Sequence, residues 1–320
     1  MEKVSIVLPC YNEEESLPLY FKAVDKVISS LKDYTFEFVL VNDGSKDKTL
    51  SIMESLYEER KDVTICSLSR NYGQNAALSA GLKTAKGDFV IMMDVDLQDP
   101  VELIPAFLKK HQEGFDVVNA HRTDRSEDTA FKRDTAGLFY KIINALEGKQ
   151  IIPENVNCFR GISRRVVDSI LSLTEKDRKL LAEIPLVGYK TTSIDFKREK
   201  RQAGKSKYNL KKMVLYALGN MSTITSRPLY FPIFFGGISL LFSIFASLVM
   251  TVFFILSYPS IHVLGGYEIC KVLLILSVIA LFASLILCFI GLIGIYLHNI
   301  LLNTRNRPEA FIDFVKRKGE

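Results

Sequence analysis

The sequence predicts an α/β domain on a mainly parallel sheet, followed by a two-helix transmembrane hairpin. Three observations carry this prediction. Up to about residue 195, short apolar runs alternate with helix-length stretches, the pattern of strand–helix units whose parallel sheet is covered on both faces. From Pro228 through Tyr267, and again from Val272 to Leu297, there is no Asp, Glu, Lys or Arg, and each stretch holds the roughly 20 apolar residues that span a bilayer. Polar clusters follow each of the first four apolar runs, where open α/β sheets bind ligands.

The strand candidates are Val4–Leu8, Phe36–Val41, Val63–Leu68, Phe89–Met93 and Val117–Ala120. They are continuous, apolar and too short for helices. Helical stretches Glu13–Lys32, Lys48–Arg60 and Asn75–Ala85 separate the first four. Ser45 or Asp47 is placed to cap the second helix, and Pro100 lies near the start of one continuing to His111. Thr129–Glu147 and Arg164–Leu173 read as further helices. Residues 1–196 thus form the predicted α/β domain.

Residues 197–227 hold a basic segment and a helix. From 197 to 212 there are eight Lys or Arg against Glu199 alone. Such a segment attracts anionic headgroups by about 1 kcal/mol per charge near the surface. Asn209–Ser226 carries Leu210, Met213, Val214, Ala217, Leu218 and Met221 on one face, as a helix lying on a membrane does. The competing readings are a solvated basic linker and an amphipathic helix packed on the domain.

The spans are residues 228–258 and 271–298, joined by a short external loop, 259–270, and followed by a tail, 299–320. Lys205, Lys207, Lys211, Lys212 and Arg227 precede the first span, and Arg305, Arg307, Lys316, Arg317 and Lys318 follow the second. The loop around Tyr258–Glu268 has neither Lys nor Arg, so the α/β domain and both ends are expected on the cytoplasmic side of the membrane. Ser239, Ser243 and Ser247 recur at four-residue spacing, which permits close helix approach and makes a homo-oligomer plausible. The expected surface partner is a lipid bilayer and not nucleic acid. Cys10, Cys66, Cys158, Cys270 and Cys288 show no paired spacing, which fits a reduced compartment without structural zinc.

The four polar clusters are Pro9-Cys10-Tyr11-Asn12-Glu13-Glu14, Asn42-Asp43-Gly44-Ser45, Ser69-Arg70-Asn71-Tyr72-Gly73-Gln74-Asn75 and Asp94-Val95-Asp96-Leu97-Gln98-Asp99-Pro100. Any one alone is good turn chemistry. Four in phase with the sheet converge on one crevice. There Asp43 is placed to accept from a base or ribose. Asp94 and Asp96 offer the hard oxygen ligands that suit Mg²⁺ or Mn²⁺ and hence phosphates.

In this order the segments PCYNEE, VNDGSKDKT, RNYGQNAAL and DVDLQDP resemble a family 2 glycosyltransferase with a GT-A, Rossmann-like fold. With two spans after the catalytic domain, the chain is similar to the polyisoprenyl-phosphate glycosyltransferases, bactoprenol glucosyltransferases and dolichyl-phosphate mannose synthases among them. The resemblance implies an inverting transfer from a nucleotide-sugar donor to polyprenyl (undecaprenyl) phosphate, giving a lipid-monophosphate sugar at the cytoplasmic face. Asp43 then contacts the nucleoside, with Pro9, Tyr11 and Glu13 lining the pocket. Asp94 meets the diphosphate or ribose, and Asp96 with Gln98 holds the divalent metal. Arg122 and Arg133 grip phosphate. Lys205, Ser206 and Lys207 form the lipid-phosphate stretch.

The chain departs from the family at Asn157-Cys158-Phe159-Arg160, where relatives often carry an acidic residue proposed as a base. A phosphomonoester is largely a dianion at neutral pH and needs positioning more than proton removal. Cys158 is read as a small buried residue and not a nucleophile. The two spans with a short outer loop resemble the bacterial enzymes of this group, and that resemblance implies UDP-glucose or UDP-N-acetylglucosamine as donor, with GDP-mannose as the alternative. A processive polysaccharide synthase is disfavoured because its Gln-x-x-Arg-Trp motif needs a Trp and this chain has none. A non-catalytic membrane-anchored scaffold is the reading from another class, and the retained Asp43, Asp94, Asp96 and Gln98 count against it.

Overall fold

The computed structural model describes residues 1–123, 156–173, 180–197 and 308–318, with scattered positions between 238 and 304. The chain divides into two compact units, Met1–Asn220 with Leu302–Glu320, and Met221–Leu301.

The first unit is built on an eight-stranded mixed sheet. Its strands are β1 (Glu2–Cys10), β2 (Tyr34–Asn42), β3 (Val63–Leu68), β4 (Phe89–Met92), β5 (Val117–Arg122), β6 (Val156–Ser163), β7 (Thr191–Phe196) and β8 (Ile312–Arg317), in the spatial order β7-β5-β6-β4-β1-β2-β3-β8. β1 to β4 are mutually parallel, with Val4 facing both Phe36 and Phe89. β6 runs antiparallel between β4 and β5, β7 is parallel to β5, and β8 closes the far edge antiparallel to β3. Steps from β1 to β2 to β3 go one way and β4 lies on the other side of β1. The β1/β4 boundary is therefore a topological switch point, where such sheets open a crevice at the strand carboxyl ends.

The four parallel strands β1–β4 are legible because both of their faces are buried. Ile6, Leu8, Phe38, Leu40, Phe89 and Ile91 face one core, and Val7, Val39, Val41, Val90 and Met92 face the other. On the first face lie α1 (Ser16–Ile28), α2 (Thr49–Glu59) and α4 (Ile104–Gln112), the last entered through a 3₁₀ turn at Val101–Leu103. α1 buries Leu17, Tyr20, Phe21 and Val24, a helical stripe. The second face carries α3 (Gln74–Thr84), α5 (Arg164–Ser172) and α6 (Leu180–Leu186). α3 packs close because residue 81 is glycine: a Cβ there would stand 2.3 Å from Val7 Cγ1.

Sequence patterns predict β1–β5 and the helices they alternate with, and they predict no element at β6, β7 or β8. β8 lies in the segment read as a tail. Arg317 explains how so polar a strand is held. Its guanidinium meets the buried Glu37 carboxylate at 3.2 Å, and Nε donates to Thr64 Oγ1 at 3.4 Å. Among the described residues no helix is long and apolar enough to cross a membrane. The predicted spans 228–258 and 271–298 and the helices 129–147 and 209–226 lie largely or wholly outside those residues, although positions 291–297 are helical.

Candidate active site at the sheet switch point

The four polar clusters stand side by side at the carboxyl ends of β4, β1, β2 and β3, as their in-phase spacing predicts. Two of the loops clasp each other. Asn12 takes the left-handed backbone conformation (φ 56°) that Asn tolerates better than most residues. Its N–H donates to Ser45 Oγ (3.1 Å), and its Oδ1 accepts the N–H of Lys46 (2.8 Å). The Glu13 N–H donates to Thr49 Oγ1 at 2.8 Å, and the Lys48 N–H to Glu14 Oε2 at 3.0 Å. Asp47, one of two predicted caps for α2, accepts the Thr49 N–H at 3.0 Å. Ser45 serves the neighbouring loop instead.

Asp43 is 3% exposed and holds the next loop. Oδ1 accepts the Tyr72 N–H at 2.7 Å and Oδ2 the Gly73 N–H at 3.0 Å. Burial pushes its carboxyl above the usual range, and the two N–H donors oppose that rise. Gly44 beside it has φ +63°, and a Cβ there would lie 2.4 Å from the Arg70 carbonyl carbon. The β2 and β3 loops are therefore in backbone contact. Each oxygen of Asp43 keeps a second lone pair that a nucleoside N–H or hydroxyl suits.

On the other side of β1, the Asp94 carboxylate accepts from Gln74 Nε2 at 2.8 Å, and the Asp94 N–H donates to Asp99 Oδ2 at 3.2 Å. Asp96 is 9% exposed, and its Oδ1 accepts the Gln98 N–H at 3.1 Å. Between them Leu97 has φ 58°, a strained conformation for a bulky residue. Such strain costs on the order of 1–3 kcal/mol and clusters at functional sites. Among the described residues no three His, Cys, Asp or Glu side chains converge as a metal cage. A carboxylate and an amide oxygen, as Asp96 and Gln98 carry, are the oxygen donor types that hard divalent cations such as Mg²⁺ take.

Pro9, Tyr11 and Glu13 lie at the end of β1, and the Glu13 carboxylate accepts from Ser16 Oγ at 2.9 Å, at the start of α1. Arg122 ends β5, two strands from β4 across β6. Arg133, Lys205, Ser206 and Lys207 lie outside the described residues. Cys158, read from the sequence as buried, is only half-buried on β6, yet desolvation of its thiol pushes its pKa up to about 11, against the pull of Arg160, with Asp94 and Asp99 adding to the rise. It is therefore a protonated thiol at neutral pH, unsuited to act as base or nucleophile.

Four residues with notable contacts near these strand ends have no clear signal in the sequence. Gln74 was visible only as one residue of a motif. Arg160, 1% exposed on β6 opposite Met92, stands in a segment where the sequence predicts no element. His121 and Asp195 meet at 2.7 Å between β5 and β7, and nothing local links residues so far apart.

The model of the family described as Glycosyl transferase family 2 matches residues 5–171. Bactoprenol glucosyl transferase of Shigella phage SfV is 38% identical, over 99% of this chain and 100% of that protein. A prophage bactoprenol glucosyl transferase homolog of Escherichia coli (strain K12) is 36% identical, over 98% and 100%. Undecaprenyl-phosphate 4-deoxy-4-formamido-L-arabinose transferase of Photorhabdus laumondii is 31% identical, over 98% and 94%. Among solved structures, glucosyl-3-phosphoglycerate synthase from Mycobacterium tuberculosis, in complex with Mn²⁺, UDP and phosphoglyceric acid, is 20% identical. That match covers 71% of this chain and 78% of the other, with TM-score 0.49.

Proposed function

Since the chain belongs to glycosyl transferase family 2 and is a glycosyltransferase, we propose that it moves a sugar from a nucleotide-sugar to polyprenyl phosphate at a membrane surface. The observation that supports this reading most is the pairing of two functions at one switch point. A buried carboxylate orders the β3 loop beside β2, and a second pair of carboxylates, one held by Gln74, ends β4. Nucleoside and diphosphate are the two ends of such a donor. The relatives that match end to end are named for bactoprenol or undecaprenyl phosphate, which supports the acceptor.

In this reading Asp43 and the Tyr72–Gly73 loop receive the nucleoside. Gln74 fixes Asp94 against the ribose or diphosphate. Asp96 and Gln98 would hold Mg²⁺ or Mn²⁺, which supplies charge neutralisation for the leaving diphosphate. Arg122 and Arg133 orient phosphate oxygens. The acceptor phosphate, largely dianionic, attacks the anomeric carbon from the face opposite the leaving group and inverts it. No side chain needs to take a proton, which agrees with a high-pKa thiol at Cys158.

The bilayer reading draws support from Ile279, Ile286, Ile290, Ile293 and Leu297. All are more than half exposed along helical positions of the second apolar stretch, and such contiguous apolar exposure marks a lipid- or protein-facing surface. We assign residues 228–258 and 271–298 as spans, 197–212 as a headgroup-binding segment, and the cytoplasmic side to the catalytic unit.

The test measures nucleoside diphosphate released from UDP-glucose, UDP-N-acetylglucosamine or GDP-mannose, with undecaprenyl phosphate and Mg²⁺ or Mn²⁺. Turnover with one donor, abolished by chelator and by Asp96→Ala, is expected. No release from any donor with either metal would sink the proposal.

A further inference from the structure

The carboxy-terminal strand is anchored at several points. Besides the Arg317–Glu37 pair, Lys316 meets Glu54 and Lys318 donates to the Glu58 carbonyl at 2.8 Å. Edge closure alone would account for these contacts. It does not account for Phe311, which precedes β8 and is 58% exposed.

Phe311 meets the loop that Asp43 holds. Its carbonyl accepts the Ser69 N–H at 3.0 Å, and its ring lies 6.4 Å from the Tyr72 ring at 51°. Tyr72 in turn shares a hydrogen bond with Ser69 Oγ at 3.1 Å and carries the Arg70 guanidinium 4.7 Å from its ring centre. The backbone N–H of this same Tyr72 donates to Asp43. The Ser69–Gly73 loop is thus held from two sides, by Asp43 through its amides and by Phe311 through its first N–H and its aromatic ring. An exposed Phe adds little to a core, so its contribution lies in what it touches.

We propose that Phe311 is a positioning residue for the nucleoside end of the donor pocket, so that the segment following the apolar stretches sets donor affinity by fixing the Ser69–Gly73 loop against Asp43. This rests on the donor reading above. The mechanism is loop preorganisation: an ordered loop loses less freedom when the nucleoside binds.

The experiment uses the full-length chain in detergent micelles, with UDP and GDP as calorimetric probes and steady-state assays beside them. For Phe311→Ala, the dissociation constant of whichever nucleotide the wild type binds is expected to rise roughly tenfold, the scale of one lost aromatic contact. The donor KM should rise with it, while kcat and the acceptor KM hold. Phe311→Tyr, which keeps the ring, should restore both. Wild-type affinity in Phe311→Ala, or a fall in kcat at constant donor KM, would overturn the inference while leaving the donor reading intact. A wild-type chain that binds neither UDP nor GDP overturns the donor reading, and this inference with it.

Discussion

Asp43→Asn alters one atom of a side chain that is 3% exposed, yet it should cost more than most isosteric changes. The carboxylate accepts two backbone N–H groups, at 2.7 Å from Tyr72 and 3.0 Å from Gly73, one on each oxygen. An amide has one oxygen to offer. Its NH₂ would face the other N–H, donor against donor, and leave it unpaired at a cost of about 1–3 kcal/mol. The remaining bond loses its charge assistance, worth about 1 kcal/mol. Against this, a neutral amide is cheaper to bury than the carboxylate, whose pKa burial already raises. The net expectation is a loss of about 2 kcal/mol, or roughly 4–8 °C in the melting midpoint of a domain this size. Two readouts separate the two roles of Asp43. Thermal unfolding reports the loop restraint, and UDP titration reports the nucleoside contact. Both should worsen. An unchanged midpoint with weakened UDP binding would refute the loop-holding role and leave Asp43 as a base contact alone.

Further expectations follow from neighbouring geometry. Gly44→Ala places a Cβ 2.4 Å from the Arg70 carbonyl carbon at φ +63°, so the β2 and β3 loops must part. Donor affinity should fall more than the roughly 1–2 kcal/mol of backbone strain lowers stability, as checked by UDP titration and melting side by side. Glu37 is expected to govern the acid limb of stability. Burial raises its pKa, but hydrogen bonds from Ser5 and the Lys86 N–H, with Lys3 and Arg317, outweigh that and hold it below the ordinary value. A lowered folded pKa means the stabilisation is present above the unfolded value of about 4.3 and lost as pH falls below it. Urea midpoints between pH 7 and 3.5 should therefore drop for the wild type and flatten for Glu37→Gln, which starts lower at pH 7.

The sequence is most readable where burial is two-sided. Ile6, Val39 and Ile91 sit in runs that leave no face to water, so apolar continuity marks them as strands. β6 escapes that reading because Arg160 and Gly161 interrupt it, and β7 because alternate residues from Thr191 to Asp195 are exposed at an edge. β8 carries Asp313, Lys316 and Arg317, and its order depends on Glu37 and Thr64, far back in the chain. The same division holds in the site. Residue types told where Asp43, Asp94 and Asp96 would gather. They did not tell that Asp43 spends both oxygens on backbone amides, that Gln74 orients Asp94, or that Leu97 is strained, because each fact depends on which loops touch.

The placement of β8 also sets an order of events during synthesis. β3 is made early, but residues 69–311 separate it from its partner β8, and residues 197–311 lie between β7 and β8. At ordinary elongation rates β3 spends on the order of ten seconds as an open edge, with Glu37 buried beside it and Arg317 not yet made. Any membrane passage within 197–311 must be made an even number of times before that edge can close, since β7 and β8 end in one sheet. Chains halted before Ile312 should therefore show an exposed, protease-sensitive β3.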